Sequence, residues 1–371
     1  MALRAEPGSA AGTFRYYAEA IDKVYGEIAP TADTILALIH REPVGVVAAI
    51  VPWNFPLMIG AWKLAPALAA GNSLVLKPAE TASLSLLRLA ELALQAGLPP
   101  GVLNVVTGPG AITGQALGLS MGVDVLVFTG SGMTGRRLLE YSARSNLKRC
   151  FLELGGKSPN IVFADVPDLT TAAKVSAAGI FRNAGQVCVA GSRLLVEAAV
   201  HDDFVAELCA VAAKMRPGNP LQLTTQIGAV NSAVQLAGNL RFVSDAVSEG
   251  GQIALGGAQV LADTGGYYME PTVVTDVAPT HRLFQSEVFG PILSVTKFST
   301  EAQALALANG TDYGLASAVW TSNLSRAHRM VRGIRAGVVQ VNTYGRADGT
   351  VPLSGGGPIW KWGGQVVACA G

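Results

Sequence analysis

From residue 44 onward, short β-branched and apolar runs alternate with longer stretches whose apolar positions recur at helical spacing. The runs 46–51, 73–76, 103–106, 124–128 and 150–154 predict strands, and 57–70, 82–96, 111–117 and 133–143 predict helices. Gly71 and Gly97 stop the first two helices, because glycine takes the left-handed cap conformation without a Cβ clash. Strands and helices that alternate in this way imply parallel βαβ units and a doubly wound sheet. Such sheets take ligands at the carboxyl ends of their strands. A second α/β series runs over 160–342, with strands at 160–163, 193–196 and 292–298 and helices at 168–181 and 202–215. Residues 25–40 are less regular and fit a hairpin. The stretch 354–371, containing G-G-G-P-I-W-K-W-G-G, has neither periodicity nor turn logic.

Composition narrows the class. The chain has 371 residues, enough for two domains with cores of their own. Apolar residues make up 50% and charged residues 14%, against about 25% charged in an average soluble protein. So rich a core implies surface covered in an oligomer, or a core-heavy piece of something larger. The net charge is +1, with no basic stripe to attract nucleic acid. The most apolar stretch, 44–62, is interrupted by Pro52, Asn54 and Pro56, and it falls short of the roughly 20 residues that a membrane span needs. The first ten residues carry Arg4 and Glu6 and no apolar centre, unlike a signal peptide. Cys150, Cys188, Cys209 and Cys369 form no C-x-x-C pair, so neither a disulfide framework nor a zinc site is expected, and the cytoplasm is the simplest location. His40, His201, His281 and His328 are scattered without ligand spacing, and no metal is implied.

Five motifs stand in order: P-W-N-F-P-L at 52–57, F-T-G-S at 128–131, L-E-L-G-G-K-S-P at 152–159, G-Q-V-C at 185–188 and E-V-F-G-P at 287–291. In this order and spacing the chain, from about residue 14 to 353, resembles the aldehyde dehydrogenase superfamily. The resemblance implies a Rossmann-type parallel-sheet cofactor domain, an α/β catalytic domain and a small oligomerisation hairpin. The corresponding boundaries are 1–24 for a remnant of an N-terminal helical segment, 25–43 for the hairpin, 44–155 for the NAD-binding domain, 156–353 for the catalytic domain and 354–371 for an aberrant tail.

The chemistry follows the same residues. Cys188 is the candidate nucleophile: a thiolate adds readily to an aldehyde carbonyl, and the resulting hemithioacetal is a better hydride donor than the aldehyde. A lone cysteine is otherwise commonly a packed apolar residue, which is the expectation for Cys150 and Cys209. Glu153 ends a predicted strand before Gly155-Gly156 and is the candidate general base for thioester hydrolysis. Outside the motif it would read as a solvated loop acid or a cap partner. Its presence sets the chain apart from acyl-transferring relatives that lack the carboxylate. Asn54 is the candidate oxyanion donor, with the Cys188 backbone N–H, although an Asn between two prolines is also ordinary turn chemistry. On the cofactor side the resemblance implies Trp53, Lys77, Glu80, Gly130, Ser131, Gly135, Glu287 and Phe289. A carboxylate at Glu80 favours ribose hydroxyls over a 2′-phosphate, hence NAD, with NADP as the lesser option. The glycines of 130–135 let backbone approach a pyrophosphate at a helix start, although the spacing is not the usual G-x-G-x-x-G.

The implied reaction is aldehyde plus NAD and water to carboxylic acid plus NADH. The segments 16–27 and 324–330 are similar to the subgroup acting on γ-aminobutyraldehyde derivatives such as γ-glutamyl-γ-aminobutyraldehyde and 4-guanidinobutyraldehyde, from polyamine and arginine breakdown. Val187, Val189 and the loop 344–351 with Asp348 are candidate pocket lining, suited to a cationic tail or to plain aliphatic aldehydes. Intact family members are homo-oligomers. The alternative is a non-catalytic, misfolding-prone fragment, since the family extends further at both ends. Read one base out of phase from Gly355, permitted codons yield G-G-V-Q-S-G-N-G, similar to the family's continuation, with both glycines of S-G-N-G forced by Trp360 and Trp362. A frame-shifted terminus and a poorly soluble or inactive product are therefore expected; a genuine divergent tail is the other reading.

Overall fold

The computed structural model describes residues 5–345. The expectations for the tail 354–371 and for Asp348 lie outside the described residues. The chain divides into two compact units, the first ending at Leu154 and the second beginning at Gly155.

In the first unit, α1 (Glu6–Ala20) packs on α2 (Pro56–Ala69). The strands are β1 (Glu27–Ala29), β2 (Ala37–Ile39), β3 (Val46–Ile50), β4 (Ser73–Lys77), β5 (Leu103–Val105), β6 (Val125–Thr129) and β7 (Arg149–Glu153). The remaining helices are α3 (Leu84–Gln95), α4 (Gln115–Leu119) and α5 (Gly132–Ala143). β1 and β2 form an antiparallel pair that leaves Ile28 and Leu38 exposed. β3 to β7 form one parallel sheet in the order β5-β4-β3-β6-β7. The chain runs outward from β3 to β5, then crosses back to β6 and β7, so the topological switch lies beside β3. Ala48 and Ala49 at its centre are fully buried. α2 starts with a proline, which has no N–H to waste there. It stops at Gly71, whose φ of +81° suits glycine. The short helix expected at 111–117 opens as one wide turn over Gly110–Gly114 before α4.

In the second unit the strands are β8 (Pro159–Val162), β9 (Arg193–Glu197), β10 (Gln252–Leu255), β11 (Gln259–Val260), β12 (Tyr268–Met269), β13 (Thr272–Thr275), β14 (Ile292–Phe298), β15 (Ala316–Trp320) and β16 (Val338–Val341). The helices are α6 (Leu169–Phe181), α7 (His201–Ala212), α8 (Ala233–Ser248), α9 (Arg282–Gln285), α10 (Glu301–Ala308) and α11 (Leu324–Gly333). The main sheet runs β10-β13-β14-β9-β8-β15-β16, parallel throughout except for the β10–β13 edge. Polar side chains fix the helix starts: Asp168 accepts from the Thr171 N–H, Ser232 from Gln235, Thr300 from Gln303 and Asn323 from Arg326. Among the described residues no helix is long and apolar enough to cross a membrane.

Candidate active site

In the first unit the motif residues gather at the carboxyl edge of the sheet. The P-W-N turn leaves β3, the Lys77–Glu80 segment leaves β4, Gly130-Ser131 leaves β6 and Glu153 closes β7. Asn54 is buried and Trp53 partly so. The turn that carries them is anchored by a residue outside every motif. The buried Glu6 carboxylate accepts from the N–H groups of Leu57 at 2.8 Å and Met58 at 3.2 Å, at the start of α2. These are orphan donors of a helix N-terminus, and an acid there is the natural partner.

Glu153 is 8% exposed, and its Oε1 has no hydrogen-bond partner among the described residues. Its backbone carbonyl accepts from the Gly130 N–H at 3.0 Å. Burial pushes the carboxyl up to about 7, opposed only in part by Lys63 on α2. A carboxylate with that affinity takes and releases protons near neutral pH, as a general base must.

Buried Lys77 donates to the Pro78 carbonyl at 3.1 Å and to Glu80 at 3.4 Å. Partial burial raises the Glu80 pKa, but its own backbone N–H, the Lys77 charge and the Gly110 N–H outweigh this and hold it below the usual range. Ser131 caps α5 by accepting from the Thr134 N–H at 3.3 Å. The first turn of α5 carries no acid, and a Cβ built on Gly132 meets nothing within 4 Å. At Gly135, by contrast, a Cβ would come within 2.7 Å of Leu154, so this glycine serves helix–strand packing. The set fits a dinucleotide: a cation and a carboxylate at one strand end, and an open helix start without negative charge beside it.

The second unit reverses the usual direction. The segments bearing its motifs lead into strands rather than out of them: 155–157 enters β8, 185–192 enters β9 and 287–291 enters β14. They therefore meet at the amino edge of this sheet. Half-buried Cys188 follows three consecutive left-handed residues, Asn183 (φ 53°), Ala184 (φ 53°) and Gly185 (φ 71°). Two of these are not glycine, a conformation costing on the order of 1–3 kcal/mol each. The turn is held open by contacts on both sides. Gln186 donates to the Asn183 carbonyl at 3.1 Å and accepts from the Asn231 N–H at 2.8 Å. A Cβ on Gly185 would lie 2.0 Å from the Gly290 carbonyl. Beyond Cys188, buried Tyr344 donates from its hydroxyl to the Val189 carbonyl at 2.8 Å.

Phe289 is also left-handed, at φ 57°. Gln235 of α8 holds that turn by donating to the carbonyls of Val288 (3.0 Å) and Phe289 (3.2 Å). Glu287 accepts from the Gly156 N–H at 2.9 Å. Burial pushes its carboxyl up to about 7 despite that bond and the charge of Lys157. Arg193, 1% exposed, donates to the carbonyls of Lys157 (2.7 Å), Leu307 (2.7 Å) and Ala308 (2.8 Å), and lies over the Phe284 ring. Cys150 and Cys209 are half-buried, and burial raises both thiols, which keeps them protonated and poor nucleophiles.

The roles of Glu6, Gln186, Gln235 and Arg193 were not foreseen. Gln186 stands inside the G-Q-V-C motif and Arg193 five residues after Cys188, so position was a signal, but the Asn231 N–H that Gln186 accepts from and the Leu307 and Ala308 carbonyls that Arg193 donates to lie far away in sequence. Among the described residues no group of His, Cys, Asp and Glu could hold a metal ion.

The first sheet and its carboxyl-edge motifs define a dinucleotide-binding oxidoreductase, and the turn at Cys188 adds a cysteine presented at a loop apex. The sequence model of the aldehyde dehydrogenase family matches residues 2–357, and the chain belongs to that family. It is an NAD-dependent aldehyde dehydrogenase, with NADP as the lesser option. The chain is 53% identical over 355 residues to the NADP/NAD-dependent aldehyde dehydrogenase PuuC of Escherichia coli (strain K12), covering 95% of this chain and 70% of that protein. The P. syringae indole-3-acetaldehyde dehydrogenase AldA, solved in complex with NAD+ and IAA, is 48% identical with a TM-score of 0.94, over 100% of this chain and 73% of that one. The γ-glutamyl-γ-aminobutyraldehyde dehydrogenase of Burkholderia cenocepacia J2315 is 48% identical with a TM-score of 0.93, over 99% and 72%. These similarities favour the enzyme over the non-catalytic alternative.

Proposed function

We propose that the oxidation runs through a Cys188 thioester hydrolysed with Glu153. The Cys188 thiolate adds to the aldehyde carbonyl, giving a hemithioacetal whose oxyanion takes hydrogen bonds from the Asn54 side chain and the Cys188 N–H. One such donor is typically worth about 2.7–4 kcal/mol of transition-state stabilisation. NAD, when bound, accepts the hydride. Glu153 then takes a proton from water as the water attacks the thioester, and the thiolate leaves. The observation that carries this reading is the Glu153 carboxyl, buried with Oε1 unpartnered among the described residues and raised to about 7.

On the cofactor side, Lys77 and Glu80 hold the adenosine ribose, the 130–135 turn with Gly130 and Ser131 shapes the pyrophosphate approach while Gly135 seats its helix against the sheet, and Trp53 lines the same edge. Glu287 and Phe289 hold the nicotinamide ribose and ring. The first unit is the cofactor domain, the second the catalytic domain, and the exposed β1–β2 pair serves a homo-oligomer in the cytoplasm. The substrate is an aminoaldehyde of polyamine or arginine breakdown; the similarity to the B. cenocepacia γ-glutamyl-γ-aminobutyraldehyde dehydrogenase supports that class. Replacement of Cys188 by Ala should abolish both NADH formation and labelling by iodoacetamide, measured across a panel of amino, guanidino and plain aliphatic aldehydes. Turnover retained by that variant would remove Cys188 from the mechanism. A plain aliphatic aldehyde preferred over every aminoaldehyde would refute the substrate class.

A further inference from the structure

One buried cation has no task in the scheme above. Lys157 is 1% exposed, and its Nζ has no hydrogen-bond partner among the described residues. Burying an ammonium is costly unless some charge compensates it. The groups facing it from the packed elements are few. Arg193 on β9 is a second cation, and its guanidinium is already committed to three backbone carbonyls. Glu287, in the segment entering β14, is the acid whose charge Lys157 feels, and Glu287 feels Lys157 in return. Glu287 in turn is faced by Tyr313, which is neutral: burial and the Glu287 charge raise its pKa.

The backbone between the two groups leaves no slack. A Cβ on Gly155 would lie 2.0 Å from the Glu287 Oε2, and one on Gly156 would lie 2.4 Å from the Cys188 carbonyl. The Gly156 N–H donates to the Glu287 Oε1 at 2.9 Å, and the Lys157 carbonyl accepts from Arg193 at 2.7 Å. The 155–157 strap is thus wedged between the acid and the nucleophile's own backbone, with Lys157 at its inner end.

We propose that Lys157 is a positioning residue, the internal counter-cation that lets Glu287 ionise more readily than burial alone would allow, for the ribose hydroxyls of the nicotinamide cofactor. The proposal rests on the cofactor reading of Glu287 given above. Burial drives both groups toward their neutral forms, the carboxyl upward and the amine downward, and each opposes that drift in the other. Without the lysine, Glu287 should ionise only at higher pH. An opposite charge at close range typically shifts a carboxyl by about one to three units. A rise of about one unit from the value near 7 would cut the anionic fraction at pH 7 from about a half to about a tenth, roughly fivefold.

The test is NADH binding to the full chain, followed by nicotinamide fluorescence from pH 6 to 9, in the wild type, Lys157→Met, Lys157→Arg, Glu287→Gln and the Lys157→Met/Glu287→Gln double variant. The expected result for Lys157→Met is binding at least about fivefold weaker at pH 7 that recovers toward pH 9. Lys157→Arg should restore the wild-type profile, and the double variant should match Glu287→Gln, without a pH limb. If Glu287→Gln binds NADH as the wild type does, the cofactor reading of Glu287 fails and the proposal with it. If Glu287→Gln weakens binding while Lys157→Met leaves it unchanged, the proposal alone is overturned. It is overturned equally if Lys157→Met weakens binding by the same factor at every pH and also when combined with Glu287→Gln, the mark of a merely structural lysine.

Discussion

Glu153 gives the sharpest test, because its environment fixes both a rate and a stability. With a carboxyl at about 7, roughly a tenth is ionised at pH 6 and roughly nine tenths at pH 8. If deacylation limits turnover, kcat should therefore rise about tenfold between these pH values and then level. A carboxyl at its ordinary value would be almost fully ionised at pH 6 and give a flat profile. Glu153→Gln should release about one equivalent of NADH per subunit in a burst, then turn over about 10²–10⁴ times more slowly. Stability should move the other way. The folded pKa lies above the unfolded one, so the folded state binds more protons between about pH 4.5 and 7, and stability falls as pH rises through that window. Above it the buried charge costs on the order of 3 kcal/mol, a cost that glutamine removes, so the variant should resist urea better at pH 8 and not at pH 4. Stopped-flow NADH absorbance and urea titrations at the two pH values measure both. A flat kcat profile from pH 6 to 8 with deacylation shown to be limiting, or normal steady turnover by Glu153→Gln, would refute the reasoning.

Two further substitutions probe neighbouring parts. Glu80→Gln should narrow the preference for NAD over NADP by about two- to fivefold in kcat/KM, since this half-exposed carboxylate repels a 2′-phosphate only through a solvent-screened field; a widened gap would contradict the role given to it. Gly156→Ala should push on the Cys188 carbonyl, 2.4 Å from the new Cβ, and slow iodoacetamide labelling and turnover together by at least about tenfold; unchanged labelling in a folded variant would show that the strap does not set the nucleophile.

Much of the fold was legible because burial and periodicity agree. All five predicted strands of the first sheet exist: β3 and β6 at its centre are apolar and almost wholly buried, while β5 and β7 at its edges are only partly covered. Their ends shifted by one residue where the ladder, not hydropathy, decides. β4 runs on to Lys77, whose carbonyl accepts from the Val51 N–H while its amine is buried. The second unit was read less completely. α8 carries Gly238 and Asn239 in mid-helix, both poor helix formers, and is retained by packing of Leu236, Phe242 and Val243. β10 and β11 are short and largely exposed, and β12, though buried, is only two residues long, so none shows a long apolar run. In the site, the residue types with chemistry were visible in motifs, whereas those that hold them were not. Arg193 finds its carbonyls 36, 114 and 115 positions away, and Glu6 reaches Leu57 over 51. Nothing local encodes such contacts.

The reversed polarity of the second sheet has a consequence for how such a unit is read and engineered. At its carboxyl edge, where α/β proteins ordinarily keep ligands, Asp165 accepts from the Thr321 hydroxyl at 2.8 Å and from the Arg326 guanidinium at 2.8 Å, and Arg326 lies over the Phe163 ring. An acid, a hydroxyl and a guanidinium clustered there look like machinery, yet they are masonry: they tie the ends of β8 and β15 to α11. A survey guided by strand direction alone would mutate the wrong rim. Conversely, the exposed turns along that rim, such as the one between β9 and α7, offer places for a tag or a fused domain on the side of the sheet opposite the Cys188 segment.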